Sequence, residues 1–222
     1  MLKTVTGSIS AAIMISIGGS VFLACDDRYY GAVFFSVALL SICYLGFYLY
    51  TGKIGYIVAD HTPKNLAALG VGLVGNLAVT FPVGMLIRKM IPNLGERAAT
   101  ICQDKLEQTF GSTLVRAIFC GVLMYIAVEI FRSKKSPIGV LFGIPVFILA
   151  GFEHSIADMF YFGASGIADG KIALFELAAV LGNSIGSAIL PLLGVLGALA
   201  KKKDQTPISA ETPVNGGKTD EG

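Results

Sequence analysis

The chain has 222 residues, of which 54% are hydrophobic and 14% are charged, and its formal net charge at pH 7 is +2. Soluble domains carry about 25% charged residues, so the composition excludes an ordinary soluble protein and indicates one compact membrane domain. The weak net charge argues against nucleic acid as a partner, and four scattered cysteines without a CxxC spacing argue against a zinc site or a disulfide scaffold.

Two apolar segments open the chain. The first covers residues 8–24 and ends at the charged residues 26–28, because ionised side chains are too costly to leave in hydrocarbon. It resembles a signal peptide, but the five apolar segments that follow favour an uncleaved membrane span. The second begins near Tyr30 and is interrupted between Gly46 and Gly55. Glycine weakens a helix by about 1 kcal/mol per residue and a lysine within a membrane is costly, so this segment predicts a broken helix.

A polar segment separates the third and fourth predicted spans. Residues 66–87 form an apolar run long enough to cross a membrane, and Pro82 is the point where such a helix would kink. Residues 88–110 alternate acidic and basic side chains, which predicts an amphipathic surface segment. Residues 114–131 are the fourth span, and basic residues follow it.

The last third of the chain holds a second interrupted span and a long final one. The fifth span begins at Pro137, a favourable first-turn residue, is interrupted at residues 152–155 and resumes through Phe162. The sixth covers residues 172–200 and stops at three lysines. We therefore predict a single transmembrane domain over residues 1–203, followed by a polar, disordered cytoplasmic tail over residues 204–222.

An even number of spans places both termini on the same side of the membrane. The basic residues after the fourth and sixth spans share that side, which the positive-inside tendency makes cytoplasmic. Against this orientation, residues 88–105 carry four basic side chains on the opposite side, although Glu96 and Asp104 accompany them.

The two halves of the chain share a pattern. In each half a broken helix is followed by a span with a Gly-Asn pair, Gly75-Asn76 in the first half and Gly182-Asn183 in the second. Two halves of three spans each have inverted orientations, and paired broken helices point to a transport path between them. The pattern predicts an all-α polytopic membrane protein of six transmembrane helices in an inverted 3+3 repeat, with helices 2 and 5 broken, an aquaporin-like architecture. The alternative is a chance match between glycine-rich segments.

The second break carries an ionisable pair, Glu153-His154. Ionisable side chains within a membrane face a cavity or a partner, because exposure to lipid costs several kcal/mol. His154 can accept and donate a proton near neutral pH, and Glu153 can cap the exposed backbone amides of the interrupted helix. The alternative is a histidine whose hydrogen bonds are satisfied by the backbone of the break itself.

The sequence around this break resembles the formate/nitrite transporter family of pentameric anion channels. Residues 151–160 read GFEHSIADMF and differ from the family's GFEHSIANMF only at Asp158. Residues 49–52 stand in the place of the family's LFTS or LFTG loop, and further matches are both Gly-Asn pairs, residues 105–110 and residues 127–128. Departures are Tyr48, where relatives usually have an acidic residue, Gly121, where relatives often have asparagine, and a short connection over residues 167–171.

The resemblance implies a channel without a cofactor in the cytoplasmic (inner) membrane of a bacterium or archaeon. Its protomers would assemble in the lipid bilayer as a homopentamer with one pore each. The cargo would be small monovalent weak-acid anions such as formate, nitrite, hydrosulfide or short carboxylates, carried with a proton or as the neutral acid. The desolvation of a bare anion is costly, whereas that of its neutral acid is not.

The resemblance also assigns residues to the substrate pathway. Thr51 and His154 would meet at mid-membrane, beside Glu153, and Lys105 would draw anions into the vestibule. Phe35 and Leu39 would form a hydrophobic constriction on one side, and Phe147 the constriction on the other. Without the family, ordinary core packing is the simpler interpretation of the three apolar residues, and a solvated surface position is the simpler interpretation of Lys105.

Two other kinds of membrane protein are weaker alternatives. A haem-binding redox subunit needs axial ligands, and the only histidines are His61 and His154, which lie in a loop and at mid-membrane. A water or glycerol channel shares the architecture, but the sequence has no Asn-Pro-Ala pair. An enzyme is disfavoured, because no motif combines a nucleophile, a base and an orienting group.

Overall fold

The computed structural model describes residues 1–204, with side chains through Leu199, and every regular element in that range is helical. This confirms the predicted all-α class. The elements are α1 (Leu2–Ala24), α2 (Arg28–Leu45), a short 3₁₀ helix (Ile54–Val58), α3 (Pro63–Met90), α4 (Pro92–Leu106), α5 (Phe110–Lys134), α6 (Ile138–Leu149), α7 (Ser155–Ser165) and α8 (Lys171–Asp204). The predicted disordered tail lies outside the described residues, apart from Asp204, which ends α8.

Within the described residues, five helices are long and apolar enough to cross a membrane, namely α1, α2, α3, α5 and the Lys171–Leu199 portion of α8. Helix α6 is apolar but has 12 residues. It is therefore about 18 Å long, too short to cross a hydrocarbon core of about 30 Å. Large apolar side chains such as Ile13, Phe34 and Val74 are exposed on the outer faces of the long helices. Such surfaces are suited to lipid, so the protein is embedded in a membrane.

The chain leaves the helical conformation at both predicted breaks. Helix α2 ends at Gly46, whose φ of 69° is the left-handed conformation that glycine adopts readily, and a loop then leads to the 3₁₀ helix. Helix α6 ends near Gly151, with φ of 71°, and α7 begins at Ser155. Gly46, one of the glycines that suggested the first interruption, and Gly151, which directly precedes the residues that suggested the second, are therefore the residues that turn the backbone.

The helices extend beyond the apolar runs that predicted them. Helix α1 begins at Leu2 rather than residue 8, because the hydroxyls of Thr6, Ser8 and Ser10 donate to carbonyl oxygens of the helix itself. Helix α5 begins at Phe110, where the Thr109 hydroxyl accepts a hydrogen bond from the backbone N–H of Ser112. Polar residues with such partners do not end a helix.

Helix α4 lies in the predicted amphipathic segment and positions the site. It buries Leu94, Ala98 and Cys102 and leaves charged residues exposed on its other face. It packs on α7, α3, α1 and α8, so Lys105 in its last turn reaches the interior. The short helix α7 is buried along most of its length between α3, α4, α1 and α8.

Candidate functional site

The two breaks meet through a hydrogen bond between Thr51 and His154. Thr51 Oγ1 lies 2.8 Å from His154 Nε2, and both side chains are buried. The other ring nitrogen, Nδ1, accepts a hydrogen bond of 3.2 Å from the backbone N–H of Ala157 and so caps the start of α7. An Nδ1 that accepts leaves the proton of a neutral imidazole on Nε2, which therefore donates to Thr51. His154 thus caps the helix that follows the second break and also links the second break to the first.

Two buried asparagines hold the breaks in place. Asn76 accepts a hydrogen bond from the backbone N–H of Tyr50 at 2.8 Å and donates to the carbonyl oxygens of Ser8 and Tyr48. Asn183 accepts one from the N–H of Ser155 at 3.0 Å and donates to the carbonyl oxygens of Ala117 and Glu153. These are the asparagines of the Gly-Asn pairs. Their pattern was visible in the sequence, but their role as clamps was not.

An ion-paired cluster lies next to His154. Lys105 Nζ contacts the Glu153 carboxylate and lies 2.9 Å from Asp158 Oδ1. Gln108 donates to the other oxygen of Glu153 at 2.7 Å. Burial alone would lower the pKa of Lys105, but the carboxylates of Asp158 and Glu153 outweigh it and raise that pKa, so Lys105 stays cationic.

This cluster corrects two expectations. Lys105 is not a solvated surface lysine, because α4 folds over α7 and leaves only 13% of the side chain exposed. The Glu153 side chain does not cap backbone amides, because Lys105 and Gln108 occupy its oxygens. Sequence reasoning noted Asp158 only as a departure and missed Gln108. The replacement of asparagine by aspartate in an otherwise matching motif was the feature of the sequence that could have indicated a charged partner for Lys105 at this position.

A cavity of about 560 Å³ leads to these residues. Exposed Asp26 and Asp104 lie at its rim, and Lys105, Glu153 and His154 line its inner part. Charged side chains therefore line the cavity both at its exposed rim and at its buried inner end, where His154 also lies.

Two phenylalanines line the same cavity beside His154. Phe147 stacks on the imidazole with ring centroids 5.7 Å apart, and Phe35 lies in the same lining. The predicted grouping of Phe35 with Leu39, opposite Phe147, is therefore wrong. Leu39 is buried but does not line the cavity, because it lies one turn, about 6 Å, further along α2. Helices α2 and α6 pack together and bring Phe35 and Phe147 to one side.

Gly121, one of the departures noted in the sequence, faces a neighbouring helix. A Cβ atom at this position would lie 2.9 Å from the backbone nitrogen of Ser187 and against Asn183. A side chain here would therefore meet the backbone of α8 rather than the cavity.

Comparisons with known proteins identify relatives of this chain. The formate/nitrite transporter family model matches residues 1–196. The chain is 29% identical over 197 residues to the uncharacterized transporter YrhG of Bacillus subtilis (strain 168), which covers 79% of this chain and 73% of that protein. It is 27% identical over 177 residues to the formate channel BtFdhC of Bacillus thuringiensis, covering 71% and 68%.

Solved structures share the fold, among them two channels. One is a pentameric formate channel with formate bound, with a TM-score of 0.67 and 23% identity over 90% of this chain and 97% of that one. The other is an ion channel of the same family, with a TM-score of 0.71 and 18% identity over 89% and 88%.

Proposed function

Since the chain belongs to the formate/nitrite transporter family, whose members are channels and transporters rather than enzymes, we propose that it carries small monovalent weak acids such as formate or nitrite across the membrane. The observation that carries this proposal is the Thr51–His154 hydrogen bond at the inner end of a cavity that also contains Lys105. Within the described part of the chain, no group of three or more His, Cys, Asp and Glu residues is placed to hold a metal ion.

The passage of an anion through this site needs a proton. Phe35 and Phe147 flank the route beside His154, and an unpaired anion that leaves water between apolar rings loses several kcal/mol of solvation. The neutral acid does not bear that cost. His154 is the residue at this depth whose ordinary titration lies near neutral pH, and its Nε2–H points to Thr51. We assign to it the exchange of a proton with the solute: Nε2–H passes to the anion while Nδ1 takes up a proton from solvent in place of the hydrogen bond from the Ala157 N–H, so the ring stays neutral. Thr51 provides the hydrogen bond that orients the ring.

The architecture that accompanies this function is an inverted repeat of six spans over residues 1–203. Each half would contain one unbroken span, one broken span and a third span that bears the clamping asparagine. Helices α6 and α7 together would form the broken fifth span. The equivalent contacts of Asn76 and Asn183 support this arrangement, because each asparagine joins a break to an unbroken helix of the same half.

The protein would be a homopentamer in the cytoplasmic membrane of its cell, with both termini in the cytoplasm. The solved relative is described as pentameric, and exposed apolar side chains on α1, α2, α3, α5 and α8 provide surfaces for other protomers and for lipid. Native mass spectrometry in a mild detergent is expected to give a pentamer. A mass distribution with monomers alone would contradict it.

Flux into liposomes tests the function. The reconstituted full chain is expected to accelerate formate uptake over protein-free liposomes, and more strongly when the lumen is alkaline, because the carried proton then moves down its gradient. Nitrite, lactate and glycerol serve as comparison solutes. Glycerol uptake faster than formate uptake would instead support the neutral-solute channel, and a haem absorption band would support the redox subunit; the family match favours neither.

A further inference from the structure

One ammonium group and three buried carboxyl groups cluster at the inner end of the cavity, where Lys105, Glu153 and Asp158 line it and Glu176 lies behind them. Lys105 contacts Glu153 and Asp158, and its Nζ lies 5.6 Å above the ring of Phe175, the neighbour of Glu176 in α8. Asp158 is 2% exposed and Glu176 is 6% exposed. Among the described residues, Asp158 Oδ2 and both Glu176 carboxylate oxygens have no hydrogen-bond partner. The cluster therefore has unused acceptor atoms, and Asp158 is the residue among their owners that lines the cavity.

The charges of this cluster do not balance. If all three carboxyl groups were ionised, the site would bear two net negative charges away from water, an arrangement that buried groups avoid by binding protons. Lys105, held between two carboxylates, would also present no net positive charge to an entering anion. Each proton bound by one of these carboxyl groups removes a negative charge beside the ammonium group, so proton binding favours the approach of an anion to Lys105.

We propose that Asp158 binds a proton when a small anion binds at Lys105, so that the inner end of the cavity takes up the anion and the proton together. Asp158 is the suitable carboxyl group because it lines the cavity, contacts Lys105 through Oδ1 and keeps Oδ2 without a partner. Glu153 is engaged at both oxygens by Lys105 and Gln108. The proposal rests on the proposed function for the identity of the anion and adds a second proton-binding group to it.

The surroundings of Asp158 agree with this role. The titratable and charged groups that face it come from α4, α5, α8 and its own segment, and they are Lys105, Cys102, Cys120, Glu176, Glu153, His154 and Tyr161. The other helices packed on α7 are α1 and α3, whose charged residues lie near their ends: Lys3, Lys64, Arg88 and Lys89. Lys105 is thus the cation whose partnership changes when Asp158 gains a proton.

The carboxyl group of Asp158 and the imidazole of His154 are separate groups, although the two residues lie on neighbouring turns at the start of α7. The backbone N–H of Asp158 donates to the His154 carbonyl oxygen at 2.9 Å, which places the carboxyl group one turn further along α7. Lys105, its ion-pair partner, comes from α4. The proton bound at Asp158 would therefore accompany the anion at Lys105, before the solute reaches the Thr51–His154 pair.

The first test compares formate uptake by the wild type and Asp158→Asn in liposomes between about pH 5 and about 8. The control is Asp104→Asn, which removes the same charge from an exposed residue at the cavity rim. We measure how steeply the formate concentration for half-maximal uptake rises with pH. If formate binding is linked to one proton at Asp158, this concentration should rise by up to about tenfold more per pH unit in the wild type than in Asp158→Asn. Formic acid itself titrates equally in all three proteins, so the difference between the slopes reports on Asp158. Equal slopes in the wild type and Asp158→Asn would overturn the proposal.

The second test does not depend on transport. Infrared difference spectra of the full chain in detergent should show the carbonyl band of a protonated carboxyl group growing as the pH falls, and growing again when formate is added at fixed pH. The part assigned to Asp158 should be absent from Asp158→Asn and present in Asp104→Asn. A band that is unchanged by Asp158→Asn would overturn the proposal whether or not the liposomes take up formate. If the wild type shows this band but does not take up formate, the result would contradict the proposed function and leave the proposal for Asp158 standing.

Discussion

Asn76 and Asn183 make equivalent sets of hydrogen bonds at the two breaks of the chain. Each side-chain oxygen accepts one backbone N–H at a break, and each amide nitrogen donates to two backbone carbonyl oxygens. One carbonyl belongs to the break and the other to an unbroken helix. The non-helical backbone at the breaks thus obtains partners that a helix would otherwise supply, as buried peptide groups require.

Asn183→Ala should therefore destabilise the protein strongly. It removes three hydrogen bonds and leaves buried backbone groups without partners, each costing about 1–3 kcal/mol. Asn93→Ala is the control, because Asn93 is exposed at the start of α4. Thermal unfolding in detergent should show a large fall in midpoint for Asn183→Ala and little change for Asn93→Ala. Similar midpoints for the two variants would show that Asn183 does not hold the break.

Lys105→Ala should abolish uptake at low and high salt alike. The change leaves two buried carboxyl groups without their cation, a loss of about 3–5 kcal/mol for a broken buried pair. Since Lys105 is largely buried, mobile ions screen it poorly, and the salt-dependent effect expected of an exposed lysine should not appear. The pKa of Lys105 is raised, so its charge should not contribute to the pH dependence of uptake in the neutral range.

Arg97→Gln provides the contrast. Arg97 lines the outer part of the cavity, pairs with Asp26 at 2.5 Å, and has 42% of its side chain exposed. Its removal should slow formate uptake mainly at low ionic strength, because the attraction of an exposed charge is screened over about 10 Å at 0.1 M salt. Initial rates at several salt concentrations check both variants. A salt-dependent defect in Lys105→Ala with none in Arg97→Gln would show that Lys105, and not Arg97, is the charge that attracts anions from solution.

Gly121→Ala tests whether the departure at this position is structural. The added methyl group meets the backbone of α8 at Asn183 and Ser187, and such overpacking costs about 1–3 kcal/mol. Gly194→Ala is the control, since no atom of another described helix lies within 4 Å of its added Cβ. Thermal midpoints in detergent should fall for Gly121→Ala only. A stable Gly121→Ala variant would mean that α5 and α8 can separate at this point.

The sequence predicted those features that depend on local composition. Glycines between residues 46 and 55 marked the first break, and the interruption of the apolar run at residues 152–155 marked the second. Gly46 turns the backbone at the first break, because glycine adopts a positive φ without strain. Long apolar runs marked the spans, because hydrocarbon excludes charge.

The position of α4 over α7 could not be predicted in this way. An amphipathic pattern indicates that one face of a helix is buried, but it does not indicate which helix covers that face. The Lys105–Asp158 ion pair depends on that packing and was missed. The shared wall of Phe35 and Phe147 depends on the packing of α2 on α6, which the sequence does not show either, so these residues were wrongly grouped.

Thr51→Val should reduce uptake while the fold is retained. Valine has nearly the shape of threonine, but the Nε2–H of His154 loses its acceptor and the imidazole its orientation. Thr100→Val, on the exposed outer wall of the same cavity, is the matched control. Formate uptake should fall at least several-fold for Thr51→Val and stay near the wild-type rate for Thr100→Val. Comparable rates for both variants would remove Thr51 from the pathway.

The pH dependence of formate uptake by His154→Asn tests the central claim most directly. Asparagine can keep a hydrogen bond to Thr51 but cannot titrate, and His154→Phe, which keeps an aromatic ring beside Phe147, controls for volume. In liposomes with an imposed pH gradient, His154→Phe should abolish the joint movement of formate and protons. His154→Asn should slow uptake strongly and flatten its dependence on pH around neutrality. Uptake by His154→Asn with the rate and pH dependence of the wild type would contradict the account, because His154 would then be a hydrogen-bonding spacer and the proton would be transferred elsewhere.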